Sequence, residues 1–448
     1  MSQLIADEAL RQARERVDAA LHNAAAARTA RHIGTVRQSV GLAIDVRGVP
    51  AAIGDLVRIE PEIFAEVVAV KEDSVRCMPL SHPTGLKSGA RAHSAGALRV
   101  PVGGALIGRV INALGEPIDG NGPLTGTTPV PVDAAPPPAL SRRRVDQPLP
   151  LGVRVLDTLV PAGRGQRFGL FAGSGVGKSS LLSMIARGTE APVVVLALVG
   201  ERGREVREFL EDDLGAAGLA RSVVVVATSD EPALLRLRAA STATRIAEYF
   251  RDQGRDVVLM MDSLTRVAMA QREIGLSVGE PPATRGYPPS TFSMLPRLLE
   301  RAGPGAHGSI TGIYTVLVDG DDHDEPVADA ARSILDGHVV LSRRLATAGH
   351  FPSIDALESV SRVASRVTSP AQQASGRALR AVLAARREVA DLLDVGAYAA
   401  GSNRLVDAAL QHEERINGFL RQGLDEGCTA EESWQRLAAL TQQLEATS

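Results

Sequence analysis

The amino-acid sequence predicts an α/β fold in which a central parallel sheet is preceded by a small β-barrel and followed by a helical domain. Three observations support this prediction. Five strongly apolar runs alternate with amphipathic helical segments after Pro150, which is typical of a parallel sheet covered on both faces. Short β-rich runs broken by glycine occupy residues 30–98, and no strand candidate remains beyond about residue 370.

The changes in pattern divide the chain into segments. We expect an N-terminal amphipathic helix over 1–28, a β-barrel domain over 29–98, a central α/β domain over 99–366 and a helical domain over 367–448. A proline-rich stretch over 128–150 is typical of an extended surface connector within the central domain. The N-terminal segment has two interpretations of equal weight, a solvated and frayed terminus or a helix that docks on a partner.

Length and composition exclude several classes of protein. The 448 residues exceed what one hydrophobic core usually holds. A net charge of −3 shows no global bias toward nucleic acid, and Cys77 and Cys428, far apart in sequence, suit a reducing compartment. The N-terminus is too charged for a signal peptide, and no apolar run reaches the ~18–20 residues of a transmembrane helix. We therefore expect a cytosolic protein that reaches a membrane only through its partners.

The stretch FAGSGVGKSS, residues 171–180, matches the phosphate-binding motif G-x-x-x-x-G-K-[ST] except that Ala172 replaces the first glycine. A predicted strand precedes it and a predicted helix follows, as such a loop requires. Backbone N–H groups of the glycines would converge on phosphate oxygens, Lys178 would neutralise the phosphates and Ser179 could ligate magnesium. Because alanine adds one methyl group and accepts any negative φ, we expect the loop to function. The residues expected to bind nucleotide here are Gly173, Ser174, Gly175, Val176, Gly177, Lys178, Ser179 and Ser180.

Two acidic residues follow predicted buried strands. Asp262 ends DVVLMMD and, at the carboxyl edge of the sheet, would hold magnesium through a water molecule. Glu201 follows VVVLALVG and can polarise an attacking water, while Arg202 could contact phosphate or hold this glutamate in place. The alternative for Glu201 is a surface ion pair at the start of a helix, where the helix dipole favours an acidic residue.

Several longer stretches resemble a known family. GEPPATRGYPPSTFSMLPRLLERAG (279–303), LVGERGREVREFLEDDLG, ARSILDGHVVLSRRLA (331–346) and GHFPSIDALESVSR (349–362) are similar to the flagellar and type III secretion export ATPases, relatives of the catalytic subunit of rotary ATP synthases. The likeness extends from about residue 30 onward. AMAQREI, GEPPATRGYPPS and LATAGHFPSID are more similar to the flagellar branch than to the virulence branch.

The resemblance implies a RecA-like central domain and assigns roles to single residues. Lys178 and Ser179 become the phosphate and magnesium residues, Glu201 the catalytic carboxylate and Asp262 the acid on the magnesium side. Arg362, in ESVSRV, becomes an arginine finger that reaches the nucleotide of a neighbouring subunit. A finger supplied in trans contributes ~10³–10⁵ in rate, so a monomer should be a poor enzyme.

The resemblance also implies an adenine pocket and partners. Phe351 stands where rotary catalytic subunits place an aromatic residue against adenine, and Tyr398 would form the other side, although either could be core packing. The expected assembly is a homohexamer at the base of the flagellar export apparatus. Its implied partners are a regulator or stator protein bound through the N-terminal helix, export chaperones and cargo, and the export gate at the membrane.

Three alternatives to flagellar export remain. The first is a virulence secretion ATPase, which shares most of the motifs. The second is an RNA translocase of the transcription-termination type. Such a protein needs aromatic residues on which bases stack, and Phe64 is the one aromatic residue among the first 150. The third is a scaffold with a vestigial loop, which would be expected to lose Lys178 or Glu201, and both are present.

Overall fold

The computed structural model describes residues 16–17, 33–318 and 325–447. The helix predicted over 1–28 therefore falls outside the described residues, apart from Arg16 and Val17, which are helical. The chain divides into two compact units, Met1–Ala97 and Leu98–Ser448. Among the described residues, no helix combines the length and the apolar character needed to cross a membrane.

The first unit is a closed antiparallel β-barrel, as the sequence predicts. Its strands follow the chain in the spatial order β1-β2-β5-β4-β3-β6. They are β1 (Gly34–Val40), β2 (Ala43–Arg47), β3 (Asp55–Ile59), β4 (Ile63–Val70), β5 (Ser74–Pro79) and β6 (Arg91–Ala97). Inward-pointing side chains such as Ile44, Val46 and Val57 are completely buried. The barrel interior is thus a small core of its own.

The second unit contains a largely parallel sheet, which confirms the predicted α/β class. All five apolar runs form strands in it. The remaining strands in chain order are β7 (Arg99–Val102), β8 (Val110–Asn112), β9 (Thr128–Pro131), β10 (Arg167–Ala172), β11 (Val193–Glu201), β12 (Ser222–Thr228), β13 (Asp256–Asp262), β14 (Gly303–Pro304), β15 (Ser309–Leu317), β16 (Gly337–Leu341) and β17 (Val360–Ser361). The sheet runs β17-β16-β10-β15-β13-β11-β12-β8, with β14 pairing alongside β15 and β7 pairing separately with β9.

Helices cover both faces of this sheet and continue to the C-terminal end of the described chain. In chain order they are α1 (Arg154–Thr158), α2 (Lys178–Gly188), α3 (Gly203–Glu208), α4 (Gly215–Leu219), α5 (Ala233–Asp252), α6 (Leu264–Val278), α7 (Pro289–Leu299), α8 (Pro326–Ile334), α9 (Arg343–Thr347), α10 (Ala364–Val367), α11 (Pro370–Glu388), α12 (Ala390–Asp394), α13 (Arg404–Gln411), α14 (Glu413–Leu420) and α15 (Ala430–Thr447). The C-terminal helical region predicted from the absence of strand candidates is therefore present.

Strand β11 shows how the sheet divides the core. Val194 and Leu196 face one hydrophobic cluster, and Val195 and Ala197 face the other, because successive side chains of a strand point to opposite faces. Every residue of this strand is buried. The first cluster also contains side chains of the C-terminal helices, including Leu379. These helices consequently pack on the same core as the sheet that carries the loop motif.

Candidate functional site

The loop motif connects strand β10 to helix α2 at the carboxyl end of the strand. Gly175 and Gly177 have φ angles of 75° and 87°, in the left-handed region that glycine adopts without strain. Gly177 precedes the first residue of α2, so the N–H groups at the start of this helix face the loop. Ala172 lies within β10, where it pairs with Leu317 and Leu341 and is 1% exposed. The residue that departs from the motif is thus a buried strand position.

Three residues predicted to act together lie together in the structure. The Lys178 ammonium is 2.5 Å from Oδ1 of Asp262 and 3.4 Å from Oε1 of Glu201. Thr315 donates a hydrogen bond of 2.7 Å to the same oxygen of Asp262. All of these side chains are largely buried, with Lys178 14% and Glu201 12% exposed. An ammonium and two carboxylates therefore form one compact charged cluster.

The order of the strands explains why residues so far apart in sequence meet. Lys178 follows β10, Asp262 ends β13 and Glu201 ends β11, and these strands are parallel and lie close together in the order β10-β15-β13-β11. Because parallel strands end at the same edge, side chains at their carboxyl ends converge there. The sequence separations of 23 residues from Lys178 to Glu201 and 84 to Asp262 do not affect this convergence.

Glu201 is held by an arginine that the sequence does not single out. Arg266, on α6, places Nη2 3.3 Å from Oε2 of Glu201 and donates a second hydrogen bond to the carbonyl of Gly200. A Cβ on Gly200 would lie 2.8 Å from Cδ of Arg266, so glycine makes this close approach possible. Burial raises the pKa of the Glu201 carboxyl above its ordinary value, although Lys178 and Arg266 oppose the shift. A carboxylate with a raised pKa accepts a proton more readily near neutral pH.

Arg202 occupies a different position from the one expected for a residue that holds Glu201. Its side chain is 77% exposed and pairs with Glu205 at 3.3 Å on the first turn of α3. The contact with Glu201 comes from Arg266 instead. The one sequence signal for Arg266 is its place a single helical turn after Asp262, in DSLTR, on the helix that begins at Leu264.

The oxygen donors at this edge fit a magnesium ion bound together with phosphate. Ser179 follows Lys178 at the start of α2, and Asp262 and Glu201 add carboxylate oxygens of the kind that Mg²⁺ prefers. Within the described part of the chain, no group of three or more His, Cys, Asp or Glu side chains could hold a metal by itself. Magnesium usually takes one or two protein ligands and completes its coordination with water and phosphate oxygens.

Phe351 lies beside the phosphate-binding loop, whereas the hydrogen bonds of Tyr398 are with residues just before and within α13. A Cβ on Gly177 would be 3.2 Å from the Phe351 ring, which is 46% exposed. The Phe351 carbonyl accepts a 3.0 Å hydrogen bond from the backbone of Gln422, between α14 and α15. The Tyr398 hydroxyl is bonded to Asn403 and Asp407, within its own segment before and along α13. The segment that contacts Phe351 is therefore the one around Gln422. None of the hydrogen bonds described for Tyr398 reaches Phe351.

Arg362 is exposed at the far side of the sheet from Glu201. It follows β17, the strand at one end of the sheet, and its guanidinium donates a 3.3 Å hydrogen bond to the carbonyl of Arg332. Glu201 ends β11, five strands away in the sheet order β17-β16-β10-β15-β13-β11. Strand β17 runs antiparallel to β16, with Ser361 paired to Gly337 at the start of β16. Within one chain, Arg362 therefore lies at the edge of the sheet opposite the one that holds the cluster at Lys178.

Comparison with known proteins gives matches over most of the chain. A model of the ATP synthase alpha/beta family, nucleotide-binding domain, matches residues 152–361, and one of the T3SS EscN ATPase C-terminal domain matches residues 368–439. A flagellum-specific ATP synthase of Bacillus subtilis is 51% identical over 91% of this chain and 95% of its own length. A type 3 secretion system ATPase of Xanthomonas euvesicatoria is 48% identical over 92% and 94%.

Solved structures agree with these sequence matches. The assembled ATPase EscN from the type III secretion system of enteropathogenic E. coli superimposes with a TM-score of 0.86 at 44% identity. The match covers 91% of this chain and 100% of EscN. EscN in complex with its central stalk EscO gives a TM-score of 0.85 at the same identity.

Proposed function

Because this chain belongs to the family of flagellum-specific and type III secretion ATPases, within the ATP synthase alpha/beta group, we propose that it hydrolyses ATP as a homohexameric ring at the base of the flagellar export apparatus. Hydrolysis there would serve to engage and unfold export cargo and to release it from chaperones. The observation that carries the enzymatic part is the convergence of Lys178, Glu201 and Asp262 at the edge of the sheet that bears the phosphate-binding loop.

Each residue of the cluster has a task in the proposed reaction, the attack of water on the γ-phosphate. Lys178 neutralises the β and γ phosphates and exchanges its carboxylate partners for them. Glu201 orients the attacking water and accepts its proton, for which its raised pKa is suited. Arg266 keeps the Glu201 carboxylate in place. Magnesium, held from Ser179 and through water from Asp262, would supply charge neutralisation on the phosphates.

Arg362 is the reason for proposing a ring in which neighbouring subunits complete each other's sites. It is exposed and lies five strands from Glu201 in the same chain. An arginine finger that acts in trans needs such an exposed position, facing a neighbour rather than its own nucleotide. The relative EscN has been solved as an assembled ATPase, which supports self-assembly of this chain as well.

The flagellar branch is the finer part of the proposal. Flagellum-specific ATP synthases of Bacillus subtilis and Treponema pallidum are 51% and 50% identical to this chain, against 48% for the Xanthomonas secretion ATPase. Flagellum-specific ATP synthases of Pseudomonas aeruginosa and Salmonella typhimurium are 46% identical, so the identities of the two branches overlap. The flagellar branch is therefore proposed from the motif GEPPATRGYPPS. Phe64, 42% exposed on the barrel, has no second aromatic neighbour among the first 150 residues, so successive bases of an RNA would find no stacking platform.

The partners we propose follow from a position at the base of the flagellar export apparatus. A regulator or stator protein would bind the N-terminal helix, chaperones and cargo would meet the ring, and the export gate would hold it at the inner face of the membrane. The protein would then be cytoplasmic and peripherally associated through the export apparatus. The complex of EscN with its central stalk EscO supports a stalk-like partner for this chain too.

Phosphate release by the purified protein, measured over a range of protein concentrations with Mg²⁺ and ATP, tests the proposal. Specific activity should rise with concentration as rings form, because each site needs Arg362 of a neighbour. Arg362→Ala should remove this rise, and Lys178→Ala should abolish turnover. A specific activity that stays constant with concentration in the wild type would contradict the trans finger. Secretion-needle genes, rather than flagellar structural genes, beside the coding gene would contradict the flagellar branch.

A further inference from the structure

The segment over residues 351–362, which we call the signature segment, joins two functional positions. At one end Phe351 lies against Gly177 of the loop. At the other end Arg362 follows β17 and is exposed. Between these ends the segment runs antiparallel along one edge of β16, with Ile354 bridged to Leu341 and Val360 paired to His338. A displacement of this segment would therefore move Phe351, proposed to contact the chain's own nucleotide, or Arg362, proposed to contact the nucleotide of the neighbouring subunit.

Helix α11 of the C-terminal region contacts the signature segment through two arginines. Arg380 donates to the carbonyls of Ala356 and Ser359 within the segment, the latter at 3.1 Å. Its Nη2 also donates a 2.8 Å hydrogen bond to the carbonyl of Leu159, at the end of α1. Arg387, about two turns further along α11, pairs with the Asp355 carboxylate at 2.7 Å. The guanidinium of Arg380 thus ties three carbonyls from two separate parts of the chain together.

Arg380 reaches the signature segment three residues before Arg362. Strand β17 has two residues, Val360 and Ser361, and it pairs with β16 on one side only because it is the outermost strand of the sheet. Ser359, whose carbonyl accepts from Arg380, immediately precedes this short strand. On the other side of this strand, the Arg362 N–H donates a 3.0 Å hydrogen bond to the Asp336 carbonyl, and Ser361 Oγ donates one of 2.8 Å to the Pro161 carbonyl. Arg380 adds charge-assisted bonds to Ser359 and to Leu159, two residues before Pro161, and so holds together the two stretches of chain from which Arg362 is placed.

The environment of Arg380 indicates that the contact is built into the fold. Burial lowers the pKa of its guanidinium, and Asp355 opposes this shift. The desolvation of a cation is tolerated where its N–H groups have acceptors, and the three carbonyls supply them. Arg386 on the same helix offers a contrast, since it forms a pair with Glu413 in which each side chain is 44% exposed.

We propose that Arg380 is a positioning residue for Arg362, so that helix α11 acts on the ATP site of the neighbouring subunit rather than on its own. This inference rests on the trans role of Arg362 proposed above. It makes the C-terminal region part of the catalytic apparatus. A partner or cargo that shifts α11 changes, through the signature segment, the rate of ATP hydrolysis in the neighbouring subunit. The ATP affinity of the subunit that carries α11 is not altered by this route.

Single variants give the first test, with phosphate release at saturating ATP as the measurement. Misplacement of a catalytic group by about 1 Å costs ~10²-fold in rate, so Arg380→Ala should lower kcat ~10- to 100-fold. The KM for ATP and the binding of a fluorescent ATP analogue should stay at wild-type values. Arg380→Lys retains a donor for one carbonyl, so its kcat should lie between that of the wild type and that of Arg380→Ala. Arg386→Ala, the matched control, should leave kcat unchanged.

Mixed rings decide in which subunit Arg380 acts. The Glu201→Gln subunit lacks the catalytic carboxylate of its own site but can supply Arg362 to its neighbour. The Arg362→Ala subunit keeps its own catalytic carboxylate but supplies no arginine finger. Equal mixtures of these two variants should recover activity, which tests the trans finger itself. Arg380→Ala should recover activity when mixed with Glu201→Gln, whose Arg362 completes the sites of the Arg380 variant. It should not recover with Arg362→Ala, because neither subunit then supplies a well-placed finger.

Other results of the mixing experiment would overturn the inference. Recovery with Arg362→Ala but not with Glu201→Gln would place the action of Arg380 in its own nucleotide site. Recovery with neither, or wild-type kcat for Arg380→Ala, would also refute a role through Arg362. If Glu201→Gln and Arg362→Ala fail to complement each other, the trans finger of the proposed function is itself wrong. This last failure is separate because it involves no change at Arg380.

Discussion

Replacement of Glu201 by glutamine should separate ATP binding from ATP hydrolysis in this protein. Glutamine has the shape of glutamate, so the hydrogen bond from Arg266 to the side-chain oxygen can persist. The amide, however, accepts no proton from the attacking water. We therefore expect kcat to fall by ~10²–10⁴, the usual contribution of a general base. Each factor of ten corresponds to ~1.4 kcal/mol of activation free energy, so the loss amounts to ~3–5 kcal/mol.

Binding of ATP should survive the same change. At 3.4 Å and an effective dielectric constant of about 20, the attraction between Lys178 and Glu201 is of the order of 5 kcal/mol before desolvation is subtracted. In the wild type, phosphate must compete with this attraction for Lys178. Lys178 of the glutamine variant keeps Asp262, at 2.5 Å, as a partner. The affinity for ATP should thus be equal to or higher than that of the wild type.

Two measurements check this prediction, phosphate release at saturating Mg²⁺ and ATP and the equilibrium binding of a fluorescent ATP analogue. Glu208→Gln serves as the control, because Glu208 pairs with the exposed Arg204 on the surface of α3 and its loss should leave kcat nearly unchanged. The wild-type rate should decline on acidification at a pH above the ordinary carboxylate range, since burial raises the pKa of Glu201. Wild-type turnover by Glu201→Gln, or an equal loss of ATP binding, would refute the assignment of the catalytic carboxylate.

Two further predictions concern stability. Ala172→Gly completes the loop motif, but because Ala172 is a 1% exposed strand residue, we expect an unchanged KM for ATP and a loss of ~1–2 kcal/mol in the free energy of unfolding; a markedly lower KM would show that alanine impairs the loop. Burial raises the pKa of Asp157 from 3.8 to about 7, so its contribution to stability is complete below the ordinary pKa and is lost as the pH rises through about 7. Thermal unfolding of Asp157→Asn should therefore depend less on pH between about 4 and 8 than that of the wild type, and parallel curves would contradict this.

The sequence predicts the parts of the fold that have strong local patterns. The five buried strands are long apolar runs, and their alternation with helices leads directly to a parallel sheet and to a site at its carboxyl edge. Strand β8 has three residues and β16 has five, too few to distinguish from loop by periodicity. Their strand conformation depends on hydrogen bonds to β12 and β10, which are tertiary contacts.

Within the site, residues at strand ends could be predicted and residues that support them could not. Asp262 and Glu201 follow conspicuous apolar runs, whereas Thr315 lies inside one, where threonine is common for its β-branched shape alone. Arg266 and Arg380 are arginines on amphipathic helices, and their sequence neighbours do not reveal which acceptors they reach. Arg380 bonds to backbone carbonyls, the partners least visible in a sequence because every residue has one.

The charged cluster also bears on how this protein family can diversify. Lys178 contacts two carboxylates, and removal of Glu201 leaves the shorter contact, with Asp262, intact. On the roles proposed above, a subunit that binds ATP without hydrolysing it is therefore one substitution away from this sequence, because Lys178 would keep a carboxylate partner.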